Sequence, residues 1–267
     1  MDDAVTAQGR KVSAHWSRLA VTYEGALAAL AEAGIELNAV QPEDLHALDM
    51  IHMGGLLATD ALAKQAGIEP GLRVIDVGAG VGGPARRFAD RYGAMVTVVE
   101  LSETLADTAQ RLTRLVGLSS KVNVLNASAL ALPVEDASYD VVVMQHVAMQ
   151  IAEKDRLFGE LARVLAPGGR LALHEIFAGD GELQWPLAWA TEPSMSALEP
   201  LDAAISRLNG LGLATSPFID ESQSGRRFHE NIIERWGSAA DAGQSADGLS
   251  PEVLEQRVAA SRAMEHN

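Results

Sequence analysis

Five short apolar runs alternate with helical segments between residues 73 and 176, and this alternation restricts the fold more than any other feature of the chain. The runs span 73–77, 95–101, 122–125, 139–145 and 170–176, with helical spacing over 83–92, 102–116 and 153–165. Each run is too short for a helix, and glycine or proline bounds the first, at Pro70-Gly71 and Gly78. Near-continuous apolar strands separated by helices form a parallel sheet covered on both faces. Right-handed crossovers make the expected fold α/β, a doubly wound Rossmann-like and mainly parallel sheet.

The flanks read differently. Val12, Trp16, Leu19, Tyr23, Leu27 and Leu30 recur at spacings of three and four, which predicts one helix over 3–34, ended by Gly34. A second helical stretch opens at Pro42-Glu43-Asp44, is interrupted by Gly54-Gly55 and runs to Gly67. Residues 1–67 therefore read as an N-terminal helical cap and 68–219 as the core. Within that core, about 178–198 form a lid insertion rich in Gly, Pro and Trp. A helix over 201–211 and a sixth strand over 213–219 would follow, and 220–267 would be a helical extension with a polar break at 244–248 and a helix over 251–264.

A chain of 267 residues suits one α/β domain with additions. No apolar run approaches the roughly 20 residues of a membrane span, and the N-terminus lacks the order of a signal peptide. The absence of cysteine removes disulfides and thiolate metal sites and points to a cytoplasmic protein. A net charge of −15 with no offsetting Lys/Arg cluster repels nucleic acid and anionic membranes, which leaves a small molecule as the expected partner.

Ligands of such sheets bind beyond the carboxyl ends of the strands. There "VIDVGAGVGGPARRFA", residues 74–89, leaves the first strand and opens a helix; Gly78, Gly80 and Gly83 satisfy G-x-G-x-x-G, a pattern that a plain βα turn also uses. A dinucleotide would need helix-terminal N–H groups for its pyrophosphate. S-adenosylmethionine brings no phosphate but an ammonium, a sulfonium and a ribose. Asp76 would repel a pyrophosphate and suits an ammonium. Glu100, ending the second strand, can accept the ribose hydroxyls of either cofactor, so an NAD(P)-dependent oxidoreductase stays open at this point.

"ALALPVEDASYDVVVMQHVAMQI" and "ELARVLAPGGRLALHEI" are foreign to dinucleotide enzymes. With them, the chain from about Asp49 to Ile219 resembles the class I S-adenosylmethionine-dependent methyltransferases. "RVIDVGAGVGGPARRFA" is similar to the family's first motif, "VVELSE" to its second, "LPVEDASYDVVV" to its fourth-strand motif and "RVLAPGGRLAL" to the turn into its fifth strand. "HMGGLLATDALA" and "MQHVAMQI" resemble a bacterial small-molecule group, similar to sarcosine/dimethylglycine and natural-product methyltransferases.

The resemblance implies S-adenosylmethionine as cofactor and in-line methyl transfer to a small organic acceptor: an amine or amino acid, or a natural-product hydroxyl or carbon. It implies that Gly78, Gly80 and Gly82 face the methionine part near Asp76, that Glu100 holds the ribose, and that Leu101 and Ser102 flank the adenine. Where the family places an acid for the adenine amino group, this chain has Ser128, followed by Ala129. The family's final antiparallel strand is not recognisable, which keeps a non-catalytic cofactor-binding relative as an alternative. The C-terminal segment could cap the sheet or exchange with a partner chain in a homodimer.

Candidates for the acceptor side follow. His146, after the fourth strand, would orient or deprotonate the acceptor, and Gln145 would bind the cofactor ammonium or the acceptor. Glu175, beside His174, would hold a cationic amine or stabilise a carbocation, unless it forms a simple salt bridge. His52 would sit in a closing cap. Trp185 and Trp189, four residues apart, would share a helix face as an acceptor wall able to form cation–π contacts. Phe228-His229 is a secondary substrate-side pair. Seven histidines without an H-x-x-x-H spacing give no expectation of a metal site.

Overall fold

The computed structural model describes residues 5–50, 52–244 and 250–264. Five parallel strands, β1 (Arg73–Val77), β2 (Met95–Glu100), β3 (Val122–Asn126), β4 (Tyr139–Gln145) and β5 (Leu165–His174), form one sheet in the order β3-β2-β1-β4-β5. Helices α1 (Ala7–Leu19), α2 (Tyr23–Glu32), α3 (His46–Asp49) and α4 (Gly55–Gln65) precede it. Helices α5 (Gly83–Arg91), α6 (Glu103–Leu115) and α7 (Lys154–Val164) are its crossovers, and α8 (Leu201–Gly210), α9 (Ser222–Asp241) and α10 (Pro251–Met264) follow.

The period-2 pleat sorts the core. Val74, Val96, Val141 and Val143 face Leu62 and Ala63 of α4 and Phe88 of α5. Ile75, Val77, Val142 and Met144 face Leu157, Phe158 and Leu161 of α7. Phe88 and Phe158 are essentially fully buried on opposite faces, each worth about 3 kcal/mol of transfer free energy. The β4–β5 register jumps from Tyr139–Leu165 to Val141–Arg170, so the Pro167-Gly168-Gly169 turn bulges out and β5 starts earlier than its apolar run.

Three expectations are corrected. The single helix over 3–34 is two, because Ala20 is extended and Thr22 caps α2, its hydroxyl accepting from the Gly25 N–H at 3.0 Å. The interruption expected at Gly54-Gly55 is present, with Gly54 left-handed at the α4 N-cap. Residues 213–219 form no strand: Pro217 removes a ladder donor, and Phe218 and Ile219 are exposed. Trp185 and Trp189 share no helix face, since Leu187 and Ala190 pair across a tight turn. Among the described residues the sheet ends at β5. Most of the polar break at 244–248 lies outside the described residues, as do the first residues of the expected N-terminal helix.

A buried ion pair locks the cap to the core. The Asp49 carboxylate of α3 accepts from Arg86 of α5 at 2.8 Å, both side chains being 2 % exposed. α5 can approach that closely because of Gly83, where a Cβ would stand 2.5 Å from the Asp49 carbonyl oxygen.

Candidate functional site

The strand order reverses at β1, so the carboxyl ends of β1 and β4 diverge and leave a crevice. The cavity there is walled by Asp76, Gly78, Glu100, Gln145 and His146 from the strand ends and by Val12 and Trp16 of α1, and it also meets Trp189 of the insertion and Phe228 and His229 of α9.

On the β1 side, backbone contact shapes the glycine loop. Gly78 has φ +76°, and a Cβ there would stand 2.4 Å from Val147, so the loop lies directly on the turn after β4. The Glu100 carboxylate accepts from the N–H groups of Gly80 at 2.9 Å and Ser102 at 2.8 Å. Burial raises its pKa, and these N–H groups oppose the shift. Asp76 is 2 % exposed, and burial, then the Glu100 charge, push its carboxyl up to about 7. Asp76 Oδ2 and both polar atoms of the Gln145 amide are buried with no hydrogen-bond partner among the described residues. Unpaired buried polar atoms cost about 1–3 kcal/mol each, so their cluster in a cavity marks a place where a ligand completes them.

On the β4 side, His146 adopts a left-handed backbone, φ +57°, unusual for a residue other than glycine. The surroundings hold it there. Its N–H donates to the His174 carbonyl at 2.8 Å, and its carbonyl accepts from the Gln150 amide at 2.9 Å. Gln150 in turn accepts from the Trp16 indole N–H at 2.5 Å. The Glu175 carboxylate accepts from the Val147 N–H at 3.0 and 3.1 Å and from the Ala148 N–H at 3.0 Å. The Lys154 ammonium donates to the Ala148 carbonyl.

Three imidazoles meet at this end. The ring centroids of His146 and His174 are 4.4 Å apart, and His52 lies 6.1 and 6.5 Å from them. Both His146 ring nitrogens are buried without a partner among the described residues. Burial, then the neighbouring His174 and His52, hold its pKa well below the usual value, so the ring is neutral with a free lone pair. His52 Nε2 shares a hydrogen bond of 2.9 Å with Thr59 Oγ1, and burial first lowers its pKa to about 4. No group of three or more His, Cys, Asp or Glu among the described residues is placed to hold a metal ion.

Of the expected residues, Asp76, Gly78, Gly80, Glu100, Leu101, Ser128, Ala129, Gln145, His146, His52 and Trp189 line this cavity. Four others sit elsewhere. Gly82 caps α5 and faces Arg86 and Ala109. The Ser102 hydroxyl caps α6, accepting from Leu105 at 3.3 Å, and pairs with Ser17 at 2.7 Å. Trp185 packs beside Met149, Leu187 and Trp189 in an apolar cluster that borders the cavity, but does not itself line it. Glu175 accepts from backbone N–H groups, is not among the residues lining the cavity, and burial pushes its pKa up to about 7.

Sequence reasoning missed the α1 wall, Gln150 and Met53. Only the Val12–Trp16 spacing hinted at the first, and no local signal marked Gln150. Glu153, with its Oε2 unpartnered among the described residues, also lines the cavity unforeseen.

Comparison with known proteins agrees with this geometry. Residues 75–173 match the "Methyltransferase domain" family model. Methyltransferase GfsG of Streptomyces halstedii is 34% identical over 223 residues, covering 82% of this chain and 77% of that protein. The 27-O-demethylrifamycin SV methyltransferase of Amycolatopsis mediterranei is 34% identical over 166 residues, covering 62% of this chain and 56% of that protein. In fold, a putative sarcosine dimethylglycine methyltransferase from Galdieria sulphuraria superposes with a TM-score of 0.67 at 20% identity, covering 79% of this chain and 80% of that one. Neither an oxidoreductase nor a non-catalytic role finds support among these relatives. With so long a match on a sheet of this order, the chain belongs to the class I S-adenosylmethionine-dependent methyltransferases, enzymes whose cofactor is S-adenosylmethionine.

Proposed function

We propose that this enzyme methylates a hydroxyl of a small neutral natural-product-like acceptor, with His146 as general base. The observation that carries the reading is His146 itself: a neutral imidazole at the cavity, held in a strained turn, with neither ring nitrogen paired among the described residues. An alcohol or phenol needs a base as its oxygen becomes nucleophilic, and an imidazole lone pair accepts that proton. The rifamycin relative, whose name specifies 27-O-demethylated material, supports an oxygen acceptor.

The β1 side suits the cofactor. The unpaired Asp76 Oδ2 would receive the ammonium, the Gln145 amide would reach the amino-acid part, and Glu100 keeps lone pairs free for ribose hydroxyls. Leu101, Ala129 and Ser128 would border the adenine; the Ser128 hydroxyl already accepts from the Leu130 N–H at 3.2 Å and retains its own proton to donate. Bound there, S-adenosylmethionine supplies an electrophilic methyl on a sulfonium. The chain's residues position the acceptor, exclude water and take one proton on a His146 ring nitrogen.

A second reading, an amine acceptor, rests on Glu153, whose unpartnered Oε2 lines the same cavity and would meet a cation. The carboxylate expected for that role, Glu175, is already engaged. The acidic net charge of −15 supports a small-molecule rather than a nucleic-acid partner. Placement in the cytoplasm is supported by the lack of cysteine; no helix among the described residues is long and apolar enough to cross a membrane.

In the test, His146→Ala and Glu153→Gln are assayed on hydroxyl and amine panels, with cofactor affinity measured by calorimetry. His146→Ala should cut kcat on hydroxyl acceptors at least ~100-fold, the scale of one acid–base group, with cofactor affinity near wild type. Full turnover in His146→Ala, or product from amines alone, would overturn the reading.

A further inference from the structure

We infer that His229 of α9, held by Ser261 of α10, is a second acceptor-binding residue that reads a second hydroxyl on the acceptor. The inference rests on the hydroxyl reading above and adds to the substrate's description. α9 and α10 pack on one another rather than extending the sheet, and α9 reaches the cavity. Their inner face brings Phe228 and His229 to the cavity wall. The seat of α9 is tight: at Gly225, one turn before His229, an added Cβ would stand 2.1 Å from the Met53 sulfur, beside His52.

One ring nitrogen of His229 is engaged and the other is not. Its residue is 5 % exposed, its Nδ1 lies 3.2 Å from Ser261 Oγ, and its Nε2 is buried with no partner among the described residues. His15 also lacks hydrogen-bond partners at both nitrogens among the described residues, but it does not line the cavity. Burial lowers the His229 pKa to about 4, so its ring is neutral. Two tautomers are then open. If Ser261 donates to Nδ1, Nε2–H is a donor; if Ser261 accepts from Nδ1–H, Nε2 is an acceptor. A carbonyl serves the first case only, whereas a hydroxyl serves both. His229 and His146 line the same cavity, so one acceptor can present one hydroxyl to each ring. That makes the preferred acceptor a diol or polyol rather than a lone alcohol.

The experiment uses the full chain saturated with S-adenosylhomocysteine and two probes, phenol and resorcinol, which share a ring and differ by one hydroxyl. Calorimetry should show resorcinol binding about tenfold tighter, the scale of one buried hydrogen bond. The ratio should fall to about one in His229→Phe and partway in Ser261→Ala. In protein labelled with ¹⁵N-histidine, the His229 Nε2 signal should move with resorcinol and stay with phenol. A tenfold ratio persisting in His229→Phe, a His229 signal indifferent to resorcinol, or no binding of either probe would overturn the inference. Ser261→Ala and the wild-type spectra decide the matter if His229→Phe does not fold. Failure of the base reading shows separately, as turnover surviving in His146→Ala.

Discussion

Replacing Glu175 by alanine separates a residue that touches the acceptor from one that holds the residue that does. Its carboxylate accepts from two N–H groups, those of Val147 and Ala148, in the turn that carries His146. Removing it leaves both donors unpaired, at about 1–3 kcal/mol each. Water entering the vacated space recovers part of this, so a loss of about 2–4 kcal/mol is expected, or a fall in Tm of roughly 5–15 °C. Glutamine keeps one acceptor oxygen and should cost about half as much. The turn also stores backbone strain at His146, so with its restraint gone the productive arrangement becomes a minor state. Each 1.4 kcal/mol depopulates it about tenfold, giving kcat lower by about 10- to 100-fold. Val147 packs directly on Gly78, so the cofactor loop loses support with the turn. Cofactor affinity should therefore fall by a factor comparable to the loss in kcat, as read by calorimetry beside steady-state kinetics and thermal melts. The low-pH limb of the kcat profile should survive in Glu175→Gln, because the proton acceptor is unchanged. A hundredfold loss of kcat with unaltered Tm and cofactor affinity would instead place Glu175 on the acceptor.

Two further outcomes follow from buried charge. Asp49→Leu alone strands Arg86 and should cost about 3–5 kcal/mol, whereas Asp49→Leu with Arg86→Met should recover most of the loss, because well-packed apolar groups replace a desolvated pair; chemical denaturation of both variants checks this, and equal losses would refute it. Asp76 is raised to about 7 from 3.8, so the unfolded chain gives up this proton first as pH rises, and this group makes stability decline between about 4 and 7. A bound cation favours the carboxylate, so S-adenosylmethionine binding at pH 6 should release close to one proton; titration in buffers of different ionisation enthalpy measures it, and no release, or equal release in Asp76→Asn, would refute it.

Much of the sheet was legible because its signal is local. Four of the five strands lie within a residue or so of their apolar runs, and β5 departs where a bulge, invisible to periodicity, lengthens it backward. The flanks were less legible, since helical spacing continues through Ala20-Val21-Thr22 while the Thr22 cap interrupts the backbone. The β1 side of the cavity wall was largely readable, because strand ends and a glycine turn occupy predictable positions in a doubly wound sheet. The acceptor side was not. Glu175 looked chemically available because nothing in its neighbourhood reveals that the turn 28 residues earlier lies beneath it.

By itself the sequence determined the sheet, its crossover helices and the glycine loop at the cavity, because hydrophobic period and turn chemistry act over a few residues. Only the tertiary structure decided which polar groups remain free. Among the described residues Asp76, Gln145, His146 and His229 keep unpaired atoms, while Glu175 gives its oxygens to the turn after β4 and Ser102 pairs with Ser17. A hydrogen bond is satisfied in space, and the residues that satisfy it here come from turns and helices far apart in the chain.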